Sequence, residues 1–376
     1  METIYRKATP ELKADLIDFG NFVFSQSSRP HDFKTLLPKM YGDNAIDNME
    51  SCHYVALQDG KIKGMVAALP IKYHVLGEVL NMRFVGTVST HPYSRGEGHM
   101  IKTMEMMIND AKDSGVDILA LGGQRQRYNY YGFEKAGIVY YFGINGSNIR
   151  HAYRNIDASG YEFVELKASD KENLDFCFDL YSKQPVYGER PKDKFLEYMH
   201  SWNSSCKVIF KDGERIGYSY GNGRELMLVD DEKYLLPVIK ALYNADKFGG
   251  TLEVPSYCTE RIKLIRNHCE VCHIQPCEMI YVINWERVLN AFFGLALSYR
   301  KLDDGKVTVK IDDEIFSIEV TGGRAAIAKT NAEPQYVMTS MEAKRRFFAL
   351  DLLALDDENF HNWLPLPFYM NGADTF

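Results

Sequence analysis

Hydrophobic and polar positions along the chain fall into segments of two periods. Leu12, Leu16, Ile17, Val23 and Phe24 recur at helical spacing after Thr9-Pro10, which predicts a helix over Leu12 to Phe24. His53 to Leu57 reads as a strand, Asp59-Gly60 as a hairpin turn, and Gly64 to Ile71 as the return strand. A further strand covers Asn81 to Thr90. Beyond it, Met100, Met104, Met107 and Ala111 line one face of a helix that Gly115 closes. "VDILAL" is a buried strand ending at Gly122-Gly123. This order predicts a mixed α/β domain.

The pattern then repeats. "YVALQDGKIKGMVAAL" from Tyr54 has a counterpart in "KVIFKDGERIGYSYG" from Lys207, with Asp59-Gly60 matched by Asp212-Gly213. A strand "ELMLV", a helix from about Tyr234 to Ala245 and a strand "GTLEVP" follow in the earlier order. The junction before the helix differs. The first copy has Arg95-Gly96-Glu97-Gly98, the second Asp230-Asp231-Glu232, which would repel an anion.

The last part changes character. Trp285 to Phe293 reads as a helix, "KVTVKIDDEIFSIEV" as two strands about an Asp-Asp turn, and "SMEAKRRFFALDLLAL" as a helix. Within it, Lys344 to Arg346 is expected to be an exposed basic face. The closing "NWLPLPFYMNGADTF" is apolar and twice interrupted by proline, so it is expected to pack against the protein rather than hang loose.

At 376 residues, two or three domains are expected, and 45% hydrophobic with 25% charged residues is a globular composition. No apolar run is long enough to span a bilayer, and the first residues lack an apolar signal core, which predicts a cytoplasmic protein without membrane insertion. A net charge of −7 argues against nucleic acid as partner. Seven cysteines are expected to be reduced. "HCEVCHIQPC" contains Cys269, Cys272 and Cys277, and offers half of a zinc site or buried thiols in a strand pair; no second ligand pair follows, so no metal is expected.

Chemistry concentrates at "VSTHPYSRGEGHM", residues 88–100. Two glycines between a strand and a helix serve a tight turn, or leave room for an anion at a helix N-terminus, where amides lack partners. Arg95 would add a permanent charge. The segment resembles the acetyl-CoA pyrophosphate loop of the GCN5-related N-acetyltransferase (GNAT) superfamily, R/Q-x-x-G-x-G/A after a strand: Arg95 and Gly98 match, and Met100 stands where Gly or Ala is usual. "YNYYGFEKAG" resembles that superfamily's Tyr-x-x-Phe/Tyr-Gly-Phe segment. Over its length the chain is similar to the enhanced intracellular survival (Eis) branch.

The resemblance implies an α/β fold of tandem GNAT-like mixed-sheet domains with an α+β sterol-carrier-protein-like C-terminal domain. The boundaries would be 1–150 (catalytic), 151–281 (degenerate copy) and 282–376 (carrier-like, with its tail entering the site). It implies transfer of acetyl from acetyl-CoA, the cosubstrate, to a primary amine of an aminoglycoside-like, polyamine-like or lysine acceptor, by direct attack through a tetrahedral intermediate. Val88, Ser89, Thr90, Arg95, Gly96, Glu97, Gly98 and His99 would hold the cofactor. Tyr128 would be the general acid and the Phe376 carboxylate the base or an anchor for the ammonium. A homohexamer is implied. Tyr130 and Tyr131 are expected in the core. Arg125 and Arg127 would reach phosphates or lie on the surface, and Asp18 and His31 would line the acceptor pocket or be solvated. The alternative is a non-catalytic acyl-CoA or lipid-binding protein.

Overall fold

The computed structural model describes residues 2–26, 29–221, 223, 225–246, 250–350, 360 and 362–376. Strand β1 (Ile4–Lys7) leads into α1 (Lys13–Ser25) and two short helices, α2 (Phe33–Leu36) and α3 (Pro38–Tyr41). Then come β2 (His53–Gln58), β3 (Lys61–Val75) and β4 (Glu78–Thr90), with Asp59 and Gly60 both left-handed in the first hairpin, as an Asp-Gly turn requires. Helix α4 (His99–Asp113) buries Met104, Met107, Ile108 and Ala111, and left-handed Gly115 follows its end. β5 (Ile118–Leu121), α5 (Arg125–Tyr128), β6 (Glu134–Ala136) and β7 (Val139–Gly143) complete the first unit.

The second unit runs through α6 (Gly146–His151), β8 (Tyr161–Glu165), α7 (Lys171–Tyr181), β9 (Val186–Gly188), α8 (Phe195–Met199), β10 (Cys206–Lys211), β11 (Glu214–Tyr220), β12 (Glu225–Leu228), α9 (Asp231–Asp246), β13 (Thr251–Pro255), α10 (Thr259–Arg266), β14 (Val271–Gln275) and β15 (Glu278–Val282). Its order repeats the first: β8 pairs β10 as β1 pairs β2, and β10–β11–β12 is a meander like β2–β3–β4.

The two units exchange strands. β15 inserts between β5 and β6 in the first sheet, whose order is β1-β2-β3-β4-β5-β15-β6 with β9 on β3. In return β7 lies between β13 and β14. The expected pairing of the two strands in 271–282 is therefore wrong: both are strands, but β14 pairs the incoming β7 while β15 crosses to lie between β5 and β6. β14 is an outer strand, so Cys272 is exposed rather than buried.

Helix α11 (Trp285–Tyr299) is longer than expected and buries Val288, Phe292 and Phe293. It packs on a sheet of β16 (Gly305–Ile311), β17 (Glu314–Thr321), β18 (Arg324–Lys329) and β19 (Tyr336–Met338). Helix α12 (Ser340–Phe348) starts in a capping box of Thr339 and Glu342. The "DLLAL" stretch expected to continue it lies outside the described residues. The basic run is an exposed face only in part: Arg345 is exposed and Arg346 half-buried, but Lys344 is not. Lys344 is 1% exposed, donates to Ser340 Oγ at 2.8 Å and lies over the Tyr281 and Trp285 rings, while Arg345 pairs with Glu134. Its stem buries along aromatic surface and its head keeps a partner. The tail packs in, with Trp363, Leu364, Leu366, Phe368 and Met370 in the largest core.

Candidate active site

The site begins where two neighbouring strands part. β4 and β5 pair in parallel from Met82–Ile118 to Val85–Leu121, and the ladder stops there. Gly86 to Thr90 continue along β3, so a fork opens between the ends of β4 and β5. On the β3 side the register slips between Met65–Ser89 and Ala67–Gly86, leaving Thr87 and Val88 opposite Val66. That is a β-bulge, the usual device for re-aiming a strand beside a site.

At the bulge Thr87 has φ +42°, a left-handed conformation costing a β-branched residue roughly 1–3 kcal/mol. A buried hydrogen-bond chain holds it. Thr87 Oγ1 lies 2.9 Å from the Tyr41 hydroxyl, which lies 2.9 Å from His53 Nε2. His53 Nδ1 is 2.9 Å from the Met49 carbonyl. A carbonyl only accepts, so Nδ1–H donates to it and Nε2 accepts from Tyr41. Burial drops His53 to about 4, so it stays neutral and the direction of the chain is fixed.

Below the fork the backbone turns through Pro92–Ser94 into the glycine segment. Gly96 (φ +87°) and Gly98 (φ +79°) are both left-handed, and a Cβ on either would meet nothing within 4 Å, so the space beside them is open. Helix α4 starts directly after Gly98 without a side-chain cap. The amides of its first turn thus have no acceptor within the helix and carry its partial positive charge. Arg95 is exposed, with no ion pair to it among the described residues. The His99 side chain turns inward instead: Nε2 donates to Glu97 at 3.1 Å and Nδ1 lies 3.0 Å from the Tyr5 hydroxyl. Only its backbone faces the turn. Together the open glycines and uncapped helix suit a diphosphate.

Tyr128 closes the other arm of the fork. It ends α5, just past Gly122-Gly123, and is 8% exposed. A Cβ on Gly123 would lie 2.8 Å from its ring, so glycine there lets the phenol lie against the chain. Burial raises the Tyr128 pKa, opposed by Arg127. Its loop is anchored on both sides. Arg125 makes a bidentate pair with Glu134, both contacts 2.6 Å, and Asn129 Nδ2 donates to Glu134 at 3.2 Å. Arg345 of α12 adds a third grip at 2.7 Å. Burial alone would raise Glu134, but hydrogen bonds from Arg125 and Arg345 outweigh it and hold the carboxyl at about 2. Arg125 is therefore spent on Glu134 rather than aimed at phosphate. Tyr130 is 73% exposed and not core; it stands edge-on to half-buried Tyr131.

The end of the tail reaches the same fork. Phe376 packs on Phe84, ring centroids 5.8 Å apart. A Cβ on Gly86 would lie 2.6 Å from its ring and 2.7 Å from its backbone O. Gly86 is the first β4 residue beyond the ladder, so Phe376 sits at the fork's opening. Asp18 is exposed, and His31 donates to the Arg29 carbonyl at 2.9 Å beside Phe24 and Phe33.

Val88–Thr90, the glycine turn, Tyr128 and Phe376 thus gather at one end of the first sheet. Tyr41, His53 and Thr87 escaped sequence reasoning. "FVGTVST" alternates like a regular strand, and a bulge set by two distant side chains leaves no local signal. Among the described residues, no group of three or more His, Cys, Asp or Glu side chains is placed to hold a metal.

The acetyltransferase (GNAT) domain family matches residues 4–136. No curated protein sequence matches the chain. Several solved structures share its full-length fold. A GCN5-related N-acetyltransferase from Kribbella flavida is 14% identical with a TM-score of 0.67, covering 100% of this chain and 98% of that one. One from Anabaena variabilis is 16% identical with a TM-score of 0.66, covering 98% and 99%. Eis1 from Mycobacterium abscessus is 12% identical with a TM-score of 0.62, covering both chains fully. Residues 4–136 thus match the GNAT domain family, and over its full length the chain shares the fold of Eis1 from Mycobacterium abscessus.

Proposed function

We propose that the chain transfers the acetyl group of acetyl-CoA to a primary amine. The observation that carries this reading is the combination of a forked β4–β5 pair with a glycine-opened, uncapped helix start immediately after it. The first-turn amides of α4, with Gly96, Gly98 and Arg95, would hold the diphosphate, and Val88 to Thr90 the arm running up the fork. The bulge at Thr87 turns the strand where a developing oxyanion needs a backbone donor.

Tyr128 would give its proton to the departing thiolate. A free phenol titrates near 10 and a thiol near 8.5, and burial raises Tyr128, so the transfer is uphill, which a dry site tolerates. The Phe376 carboxylate would hold the incoming ammonium or accept its proton through water. The same reading assigns 1–150 as the catalytic domain, 151–281 as its degenerate copy and 282–376 as a carrier-like domain, with β7 and β15 exchanged between the first two. The assembly would be a hexamer.

Two measurements test it. Calorimetry of the folded protein with CoA should give saturable heat. Turnover of acetyl-CoA with a panel of amines should fall about 10²–10⁴-fold in Tyr128→Phe while CoA affinity holds. CoA binding without turnover on any amine would instead mark an acyl-CoA carrier, and no heat with CoA would remove the site itself.

A further inference from the structure

The second unit repeats the fold of the first, but its own fork is unsuited to a diphosphate. β12 and β13 share no ladder. At the start of α9, Arg261 makes a bidentate pair with Asp231 at 2.5 and 2.7 Å, filling the place where α4 is open. Tyr369 and Asn371 of the tail line a cavity at this end of the unit together with Glu225, Leu226, Glu253 and Tyr257.

Beyond Asn371 the tail is gripped residue by residue. Asp374 is 1% exposed; it accepts from Arg190 Nε at 2.6 Å and from the Tyr181 hydroxyl at 2.8 Å. Arg190 has its guanidinium 3.6 Å from the Tyr181 ring centroid and makes a bidentate pair with Glu225 at 2.9 and 3.2 Å. The Tyr218 hydroxyl donates to Glu225 at 2.5 Å. From the first unit, the buried Lys39 on α3 donates to the carbonyls of Ala373 at 2.5 Å and Thr375 at 2.6 Å. Burial lowers Lys39 to about 7 against the pull of Asp374, yet a neutral amine still has two N–H groups, so both contacts survive either state. Three consecutive residues are thus fixed, and the next is Phe376 at the first fork.

We propose that the second unit is a socket for the tail, and that Asp374 and Lys39 are positioning residues that set Phe376 in the first unit's fork. This rests on the reading that Phe376 works there. It gives the degenerate copy a role: it holds a segment of its own chain where its sibling would hold a ligand.

The test uses the full chain and the variants Asp374→Asn and Lys39→Met. Hydrogen–deuterium exchange of peptides covering 366–376 should accelerate at least tenfold in each, with CoA affinity by calorimetry within twofold of wild type, which also certifies the first unit as folded. Turnover number should fall at least tenfold with the KM for acetyl-CoA unchanged, a split that general destabilisation would not give. Unchanged exchange in both variants overturns the socket without reference to turnover. If removing Phe376 abolishes turnover while both variants run at the wild-type rate, the positioning role is overturned. If removing Phe376 leaves turnover intact, the active-site reading fails while the exchange result still decides the socket.

Discussion

Gly86→Ala isolates the placement of Phe376. The new Cβ would lie 2.6 Å from the Phe376 ring, about 0.8 Å short of the 3.4 Å at which ordinary contact begins, and 2.7 Å from its backbone O. The backbone at Gly86 is not left-handed, so alanine adds no strain of its own and the clash is the whole effect. β4 is laddered to β3 across Gly86 and cannot retreat cheaply, so Phe376 must move by about an ångström. A misplacement of about 1 Å costs roughly 10²-fold in rate, and overpacking costs about 1–3 kcal/mol of stability, here near the low end because Phe376 is only half-buried. The assay is steady-state turnover of an amine at saturating acetyl-CoA, with CoA affinity by calorimetry. We expect kcat down about 100-fold and CoA affinity within about twofold. In a chain lacking Phe376 the same substitution should add nothing, since the two effects act through one contact. Wild-type kcat in Gly86→Ala, or an equal loss in both backgrounds, would refute the assignment of Phe376 to the reacting geometry.

Four further outcomes are expected. Gly98→Ala forces alanine to φ +79° without touching a neighbour, so urea melts should show a loss of roughly 1–2 kcal/mol, and relaxation of the turn out of the left-handed conformation should weaken CoA binding by calorimetry. Because burial raises Tyr128, the phenol holds its proton further into the alkaline range than a free tyrosine. The alkaline fall of the wild-type kcat profile should therefore lie above that of a solvent-exposed phenol, and Tyr128→Phe should lower the plateau. Glu134→Gln weakens the grip of Arg125 and Arg345 on the Tyr128 loop; kcat should fall about tenfold or more while CoA binding is retained, and full kcat would show the clamp to be dispensable. His53 titrates at about 4 folded and about 6.5 unfolded, so the unfolded chain binds the extra proton between those values and stability falls as pH drops through that window. Its share is on the order of 3 kcal/mol, fully present above about pH 6.5, and urea melts should show a shallower acid slope in His53→Gln.

What the sequence made legible was local. Asp59-Gly60 and Asp212-Gly213 announced two hairpins because left-handed turn residues are few, and all four adopt positive φ. The glycine turn announced a strand-to-helix junction for the same reason. What stayed hidden was partnership. Alternation marks β7 and β15 as strands but carries no information about which sheet they join, so their exchange between units was invisible. Lys344 looked like surface because its neighbours are charged, yet Tyr281 and Trp285, some sixty residues earlier, supply the apolar bed that buries it. The strain at Thr87 depends on Tyr41 and His53 in the same way.

The tail shows why such partnerships decide the architecture. Pro365 and Pro367 exclude a helix or a laddered strand, so a buried stretch from Trp363 to Phe376 must have its backbone polar groups satisfied individually. Arg300 donates to the carbonyls of Trp363 and Pro365, the Phe347 carbonyl receives the Leu366 amide, and Tyr73 donates to the Tyr369 carbonyl. Cys277 Sγ accepts from the Met370 amide at 3.2 Å, and Lys39 serves Ala373 and Thr375. These partners come from the first unit (Lys39, Tyr73), the exchanged-strand region (Cys277) and the C-terminal part (Arg300, Phe347). An unsatisfied buried carbonyl costs about 1–3 kcal/mol, so the tail can follow this path only when all three parts are assembled. Seating Phe376 in the fork is therefore a property of the whole chain, and so is the Tyr128 loop, whose Glu134 clamp depends on β15 beside β6 and on Arg345 of α12.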